Sequence, residues 1–144
     1  MGYTTQFEGS FNIDKEVDKE TYKLLKGIAD TRRIKRAGLD KKYGVEGEFY
    51  FKDEKTGVIN YNEPPRTQPS LYCQWIIQED RKTIIWDDGE KFYSYIEWIE
   101  YLINSILKPR GYSVNGEVTW QGENISDRGL ISVENNIVTT KDLQ

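Results

Sequence analysis

Hydrophobic and polar residues alternate near both ends of the chain, which is the pattern of a strand with one buried face. Residues 3–13 place large side chains on alternate positions, and Gly9 among them marks a bulge or a bend. Residues 112–122 show the same alternation, and residues 129–140 predict a hairpin that turns at Asn135–Asn136. Both ends of the chain are therefore predicted to belong to a sheet.

Two further stretches carry apolar residues at the spacing of an amphipathic helix. Asp18 is the predicted N-cap of a helix over about 19–29, and the pattern leaves open whether this helix continues into the basic residues that follow. The clearest helix signal lies in 92–106, where apolar residues recur every three or four positions. Asp87, with Glu90 three residues later, resembles a capping box at the start of this second helix.

The middle of the chain carries weaker signals. Short strands are predicted there at 47–51, 57–61, 71–78 and 82–86. Three of the four prolines fall in 62–70, which is predicted to be an exposed loop. Strands that cluster in hairpins, with two helices among them, favour an α+β fold. We predict one α+β domain over 1–144, in which a mainly antiparallel sheet of about six to eight strands packs against two helices.

The composition fits a folded protein of the cytoplasm. Aromatic residues make up 13% of the chain, which is more than a disordered chain carries. The single cysteine, Cys73, cannot form an intramolecular disulfide and fits a reducing compartment. No apolar run approaches the roughly 20 residues that span a bilayer, and the N-terminus lacks the features of a signal peptide. We therefore expect a cytoplasmic protein without a membrane partner.

The chain contains no histidine, and this narrows the classes of function. Histidine is the commonest general base near neutral pH and the commonest nitrogen ligand of metals. Ser–His–Asp and Cys–His arrangements and zinc sites of the Cys/His type are therefore excluded within this chain. We expect a protein that is not an enzyme and uses no cofactor.

Three carboxylates, Asp87, Asp88 and Glu90, lie close together in the sequence. At the start of a helix, they are interpreted as residues that stabilise the positive end of the helix dipole. The alternative is a site for a divalent cation or for acid/base chemistry, although the spacing is not that of a calcium-binding loop. This alternative predicts a carboxylate- or metal-dependent enzyme.

Basic residues are concentrated in one segment. Residues 31–42 hold six basic residues against one acidic residue, in a chain whose net charge is −4. Arginine offers paired hydrogen bonds to phosphate, so Arg32, Arg33, Lys35 and Arg36 are candidate ligands of an anion. Duplex nucleic acid is not expected, because the rest of the chain is strongly acidic. A small anion such as a nucleotide, an acidic partner protein, and a structural role in ion pairs or at the end of the first helix remain open.

Tyr93 and Trp98 are the candidate stacking faces for such a ligand. Tyr93 is expected to point away from the apolar face of the second helix, and Trp98 lies at its margin. Exposed rings suit a binding surface, whereas a helix covered on two sides is the plainer explanation. Exposed rings also lead us to expect self-association as a homo-oligomer.

A set of motifs extends over most of the chain. They are MGYTT at the start, then DTRR, YGVEGEFY, LYCQW, WDDGEKFYSYIEWIEYLI, KPRGY and NGEV. Together they resemble a family of small proteins encoded in bacteriophages and prophages. This resemblance implies an accessory protein that acts stoichiometrically on the machinery or the immunity of the host.

The expected function is therefore that of a phage-type accessory protein that counters a bacterial defence system or modulates a host process. It would act in the host cytoplasm by occluding a host protein or by sequestering a small anionic, nucleotide-like molecule. The rival expectations are the carboxylate- or metal-dependent enzyme and a structural component of the virion.

Overall fold

A computed structural model describes residues 2–52 and 54–143 of the chain. Within these residues the elements are β1 (Gln6–Ile13), α1 (Lys19–Asp30), β2 (Lys35–Arg36), β3 (Val58–Asn60), β4 (Trp75–Ile77), β5 (Thr83–Trp86), α2 (Tyr95–Tyr101), β6 (Val114–Gln121), β7 (Arg128–Glu134) and β8 (Ile137–Asp142). A π-helical segment, Leu102–Leu107, continues α2, and 3₁₀ turns lie at Lys41–Tyr43 and Lys108–Arg110.

Six of the strands form one antiparallel sheet in the order β4-β5-β1-β6-β7-β8, and β2 pairs with β3 in a separate ribbon. These elements confirm the predicted α+β class. Alternation along the strands divides the sheet into two faces, because successive side chains point to opposite sides. On β1, Phe7 and Phe11 are buried on one face, whereas Glu8 and Asn12 are exposed on the other.

The core lies between the buried face of the sheet and the two helices. Large rings fill much of it: Phe7 and Phe11 each meet Trp75 edge to face, with ring centroids 5.2 Å apart. From the second helix, Ile99 and Ile103 are fully buried in the same cluster. The predicted apolar face of the second helix is therefore confirmed.

The first helix is capped as the sequence predicts and ends before the basic residues. Asp18 accepts a hydrogen bond from the backbone N–H of Thr21 at 2.8 Å. At the other end, the Thr31 hydroxyl donates to the carbonyl of Gly27 at 2.7 Å, and the backbone of Thr31 is extended. The basic segment therefore lies outside the helix, which answers the question that the pattern left open.

The predicted start of the second helix is wrong. The helix begins at Tyr95, after Ser94 in the left-handed conformation, and Asp87 instead accepts the backbone N–H of Gly89 at 2.7 Å within a loop. Phe92 lies in this loop and not in the helix, and its side chain is buried. The apolar spacing predicted a helical turn at Phe92, but the ring is instead packed against the core by a loop residue.

The strand predicted at 47–51 is also wrong, because those residues form turns. Gly47 has a φ of 80°, and Tyr50 donates its N–H back to the Gly47 carbonyl at 3.1 Å. The strand that pairs with β3 in the ribbon is instead the two-residue β2, which lies within the basic segment. The Pro-rich segment 62–70 is irregular, as its composition predicts, and two of its residues, Pro65 and Gln68, are buried.

Gly9 does not form the bulge that the sequence allows, because β1 and β6 pair in unbroken register from Gln6–Gln121 to Ile13–Val114. Gly9 is required instead by the close approach of the two strands. Its φ is +115°, and a Cβ atom there would lie 2.3 Å from the carbonyl oxygen of Glu117. A side chain at this position would push the central strands apart.

We expect Gly9→Ala to lower the free energy of unfolding by about 2–4 kcal/mol, since it adds a backbone clash to an unfavourable φ. Gly38 is the matched control, because it also has a positive φ, +74°, but a Cβ atom added there would have no atom within 4 Å. Gly38→Ala should cost only about 1 kcal/mol. Urea denaturation measures both, and equal losses would contradict the close-approach explanation.

Candidate binding surface

Arg33 of the predicted ligand cluster is buried, with 1% of its surface exposed. Its Nε donates to the side-chain oxygen of Gln68 at 3.1 Å. One Nη donates to the backbone carbonyls of Glu48 at 2.8 Å and Tyr50 at 3.1 Å, and reaches that of Gly47 at 3.4 Å. The guanidinium therefore satisfies carbonyl groups in a stretch that forms no strand.

Arg36 plays a similar part a short distance away, with 2% of its surface exposed. It donates to the carbonyls of Thr56 at 2.7 Å and Lys52 at 3.2 Å. Its guanidinium also lies over the ring of Tyr50, 4.6 Å from the ring centre, where a cation is attracted by the π electrons. The structure thus places Arg33 and Arg36 inside the protein, bonded to its own backbone.

Lys35 lies between two carboxylates at the edge of the same region. Its Nζ is 3.8 Å from Glu46 and 3.7 Å from Glu63. Glu46 also pairs with Arg66 at 2.8 Å, and the backbone and side chain of Arg66 hold the pKa of Glu46 below its usual value. Lys35 therefore belongs to a local ion-pair group.

Arg32 differs from these three residues because its guanidinium lies at the surface among tyrosines. Its N–H groups donate to the carbonyl of Tyr61 at 3.0 Å, the hydroxyl of Tyr72 at 2.8 Å and the side chain of Asn62 at 3.0 Å. The guanidinium lies 4.6 Å from the ring centre of Tyr61 and 5.4 Å from that of Tyr72. Arg32 thus fixes two exposed rings in place.

Tyr93, the predicted stacking residue, lies close to the ring of Tyr72. It shares with Tyr72 a groove of about 330 Å³, which Lys91 also lines. Pro64, Pro69 and Leu71 are among the other lining residues. Tyr61, Tyr72 and Tyr93 are each more than half exposed. We call Arg32, Tyr61, Tyr72, Lys91 and Tyr93 the tyrosine surface.

The loop that carries Lys91 and Tyr93 has an unusual backbone. Asp88, Lys91 and Ser94 have φ values of 65°, 57° and 60°. Residues other than glycine pay roughly 1 kcal/mol or more in this left-handed region, and such residues often occur at functional sites. The loop between β5 and α2, which carries Lys91 and Tyr93, therefore adopts backbone conformations that are unfavourable for residues other than glycine.

Trp98, the second predicted stacking residue, is fully buried. Its indole N–H donates to the Ser70 hydroxyl at 2.8 Å, and Ser70 lines the groove. The ring also meets Tyr101 edge to face, with centroids 5.6 Å apart. Trp98 therefore lies beneath the groove as part of the core, and cannot stack on a ligand in this arrangement.

The three carboxylates of the alternative site lie in the same loop but do not converge. Partial burial raises the pKa of Asp87, and the negative charge of the neighbouring Asp88 raises it further. Asp88 lines a different cleft, of about 680 Å³, whose walls include Trp86 and Trp120. Over residues 2–52 and 54–143, no group of three or more acidic or cysteine side chains is arranged to hold a metal ion, so Asp87, Asp88 and Glu90 form no such group.

Comparison with family models, curated proteins and solved structures finds no match to this chain. In the described part of the chain, no helix is both long enough and apolar enough to cross a membrane.

Three residues of the tyrosine surface, Tyr61, Tyr72 and Lys91, are not among the residues that the sequence predicts for a site. For Tyr72 a signal existed, because it alternates with Cys73 and Trp75, which are buried, and so falls on the other side of the same stretch. Tyr61 falls at the end of the strand predicted at 57–61, whereas the strand ends at Asn60, so the pattern did not indicate where its ring lies. Only the fold shows that Arg32 brings these rings together.

We expect Arg33→Lys to lower the free energy of unfolding by about 2–4 kcal/mol, although the charge is kept. An ammonium group cannot reproduce the fork of N–H groups, so buried carbonyls lose their donors. The control is Arg66→Lys, at a position whose side chain is 77% exposed, where we expect less than about 1 kcal/mol. Chemical denaturation distinguishes the two, and a negligible effect at Arg33 would contradict its structural role.

Cys73 should resist thiol reagents in the folded protein. Burial raises the pKa of its thiol to about 12, and the thiolate is the reactive form. We expect a disulfide-exchange reagent at pH 8 to label it only after the chain is unfolded in urea. Rapid stoichiometric labelling of the native protein would show that the segment that precedes β4 opens readily.

Proposed function

We propose that this protein acts by stoichiometric binding through the tyrosine surface. The observation that carries the proposal is the set of three exposed tyrosines placed around Arg32 and Lys91. Tyrosine and arginine are enriched among the residues that dominate binding energy at protein interfaces. Isolated exposed rings are ordinary on protein surfaces, whereas a contiguous group of them beside two cations is typical of an interaction site.

The side chains of the tyrosine surface are preorganised in the free protein. Arg32 stacks on the rings of Tyr61 and Tyr72 and is hydrogen-bonded to both residues. These contacts restrict the side chains in the free protein, so less conformational entropy is lost when a partner orders them. A rigid aromatic surface of this kind gains affinity without requiring a large buried area.

The charge of the surface favours an acidic partner. A guanidinium carries five N–H groups, and three donations of Arg32 are made to groups of this protein, which leaves two for a partner. Lys91 supplies a second cation at the groove. We infer that a host protein presenting carboxylates beside an apolar side chain is the partner that this surface fits best.

A small anionic ring compound is the second candidate. The groove that Tyr72 and Tyr93 share is about 330 Å³, which is at the lower end of the range of small-molecule sites. A nucleotide-like ligand could stack on either ring and place its phosphate beside Lys91. This candidate rests on the concavity of the groove, whereas the protein partner rests on the whole exposed surface.

The biological role that we propose follows from the resemblance to small phage and prophage proteins. Such a protein would counter a bacterial defence system or modulate a host process by occluding its partner in the host cytoplasm. The proposed mechanism needs no bond to be made or broken. It requires only that the tyrosine surface cover a functional region of the partner.

Affinity capture from infected and uninfected host cells tests the proposal with a matched pair of variants. The double variant Tyr72→Ala/Tyr93→Ala removes the two aromatic walls of the groove, and Ile125→Ala removes another exposed apolar side chain, 83% exposed, in the loop between β6 and β7 and outside the lining of the groove. Truncation of a central aromatic residue at an interface costs about 2 kcal/mol or more, so the double variant should bind the captured protein at least about 30-fold more weakly. The Ile125 variant should bind it normally.

Equal binding of both variants by the captured partner would contradict the proposal. Calorimetric titration with a panel of nucleotides and cyclic nucleotides distinguishes the second candidate. Heat released with the native protein and lost in the double variant would assign the groove to a small anion. Unfolding curves of both variants show whether each one is folded before binding is compared.

A further inference from the structure

We propose that the outer edge of β8 is a self-association surface, on which a second copy of this chain adds the same strand in antiparallel orientation. The six-stranded sheet of one copy would then continue directly into the sheet of the other. This inference is independent of the tyrosine surface, since it rests on the backbone of β8 and its side chains alone.

The two edges of the sheet are built differently. The edge strand β4 has three residues, and α1 packs beside it. The edge strand β8 has six residues and pairs with β7 in continuous register from Glu134–Ile137 to Gly129–Asp142. It contains no proline and no bulge, two of the features that protect an exposed edge from pairing with another strand, although it carries one lysine, Lys141, near its end.

The hydrogen bonds of β8 define which backbone groups are available. The N–H of Leu143 donates to the carbonyl of Arg128 at 2.9 Å, so these two residues form a hydrogen-bonded pair. In an antiparallel ladder such pairs alternate, and residues 141, 139 and 137 are therefore bonded to β7. The N–H and C=O groups of Val138, Thr140 and Asp142 consequently point away from the sheet.

These outward groups are self-complementary in one register. A two-fold axis at Thr140 places Thr140 opposite its own copy and Val138 opposite Asp142 of the second copy. All three outward residues of each strand then form hydrogen-bonded pairs, whereas a shift by two residues leaves one residue of each strand without such a pair. One of those shifted registers would also set Lys141 opposite Lys141, which like-charge repulsion disfavours.

The side chains agree with the same register. Ile137 is 66% exposed at the start of the strand, and the two-fold axis at Thr140 sets it opposite Leu143 of the second copy. Thr139 falls opposite Lys141, so no like charges face each other directly. Pairing therefore covers an exposed apolar side chain at both ends of the contact. A contact along one strand is small, so we expect association to be weak and to depend on concentration.

Glutamate substitutions at two adjacent positions test the register with opposite expected signs. Thr140→Glu places two carboxylates opposite each other at the axis, and we expect the dimer dissociation constant to rise by up to about fivefold. Thr139→Glu places each carboxylate opposite Lys141 of the second copy, and we expect the constant to fall at low ionic strength. Both side chains are exposed and both substitutions change the net charge equally, so each variant is the control for the other.

Sedimentation velocity of the native protein and both variants, over concentrations from micromolar to millimolar, provides the measurement. A concentration-dependent dimer that Thr140→Glu weakens and Thr139→Glu strengthens would support the register. A native protein that stays monomeric throughout would overturn the proposal. Equal weakening by both substitutions would also overturn it, because it would indicate a general effect of charge.

Discussion

The hydrogen bonds between the buried Arg33 guanidinium and backbone carbonyls are the interaction on which the middle of this protein depends. Among the described residues between β2 and β4, the three-residue β3 is the only strand, so few carbonyls there are satisfied by strand pairing. A buried carbonyl without a donor is costly, and so is a buried charge without partners. Arg33 resolves both problems at once, because its N–H groups bond to the carbonyls of Glu48 and Tyr50.

The same short segment produces both the support and the binding surface that we propose. Arg33 and Arg36 point into the protein, and Arg32 points to the surface among tyrosines. Tyr61 follows a strand that pairs with β2, and so its position depends on the arginines that hold this region. Arg33 and Arg36 therefore provide internal support, and the half-buried Arg32 organises a largely aromatic surface.

Sequence patterns predicted the strands of the six-stranded sheet, but they did not predict the structure of the region around the arginines. Alternation identified β1, β6 and the final hairpin, because one buried face gives period two regardless of the partner strand. It failed at 47–51, where Tyr50 is buried by contact with Arg36 rather than by a sheet. For the site, Arg32 and Tyr93 were predicted and do lie on one surface, but burial of Arg33 and Trp98 depends on contacts between residues distant in sequence. No local pattern encodes such contacts.

Amide hydrogen exchange in the Arg33→Lys variant tests the central claim most directly. If Arg33 holds the segment between β2 and β4, then amides in 41–72 should lose protection while those of β1, β6 and β7 keep theirs. Unchanged protection in 41–72 would show that the segment is held by other contacts. A uniform loss across the whole chain would contradict a role confined to this segment, because it would show that Arg33 supports the fold in general.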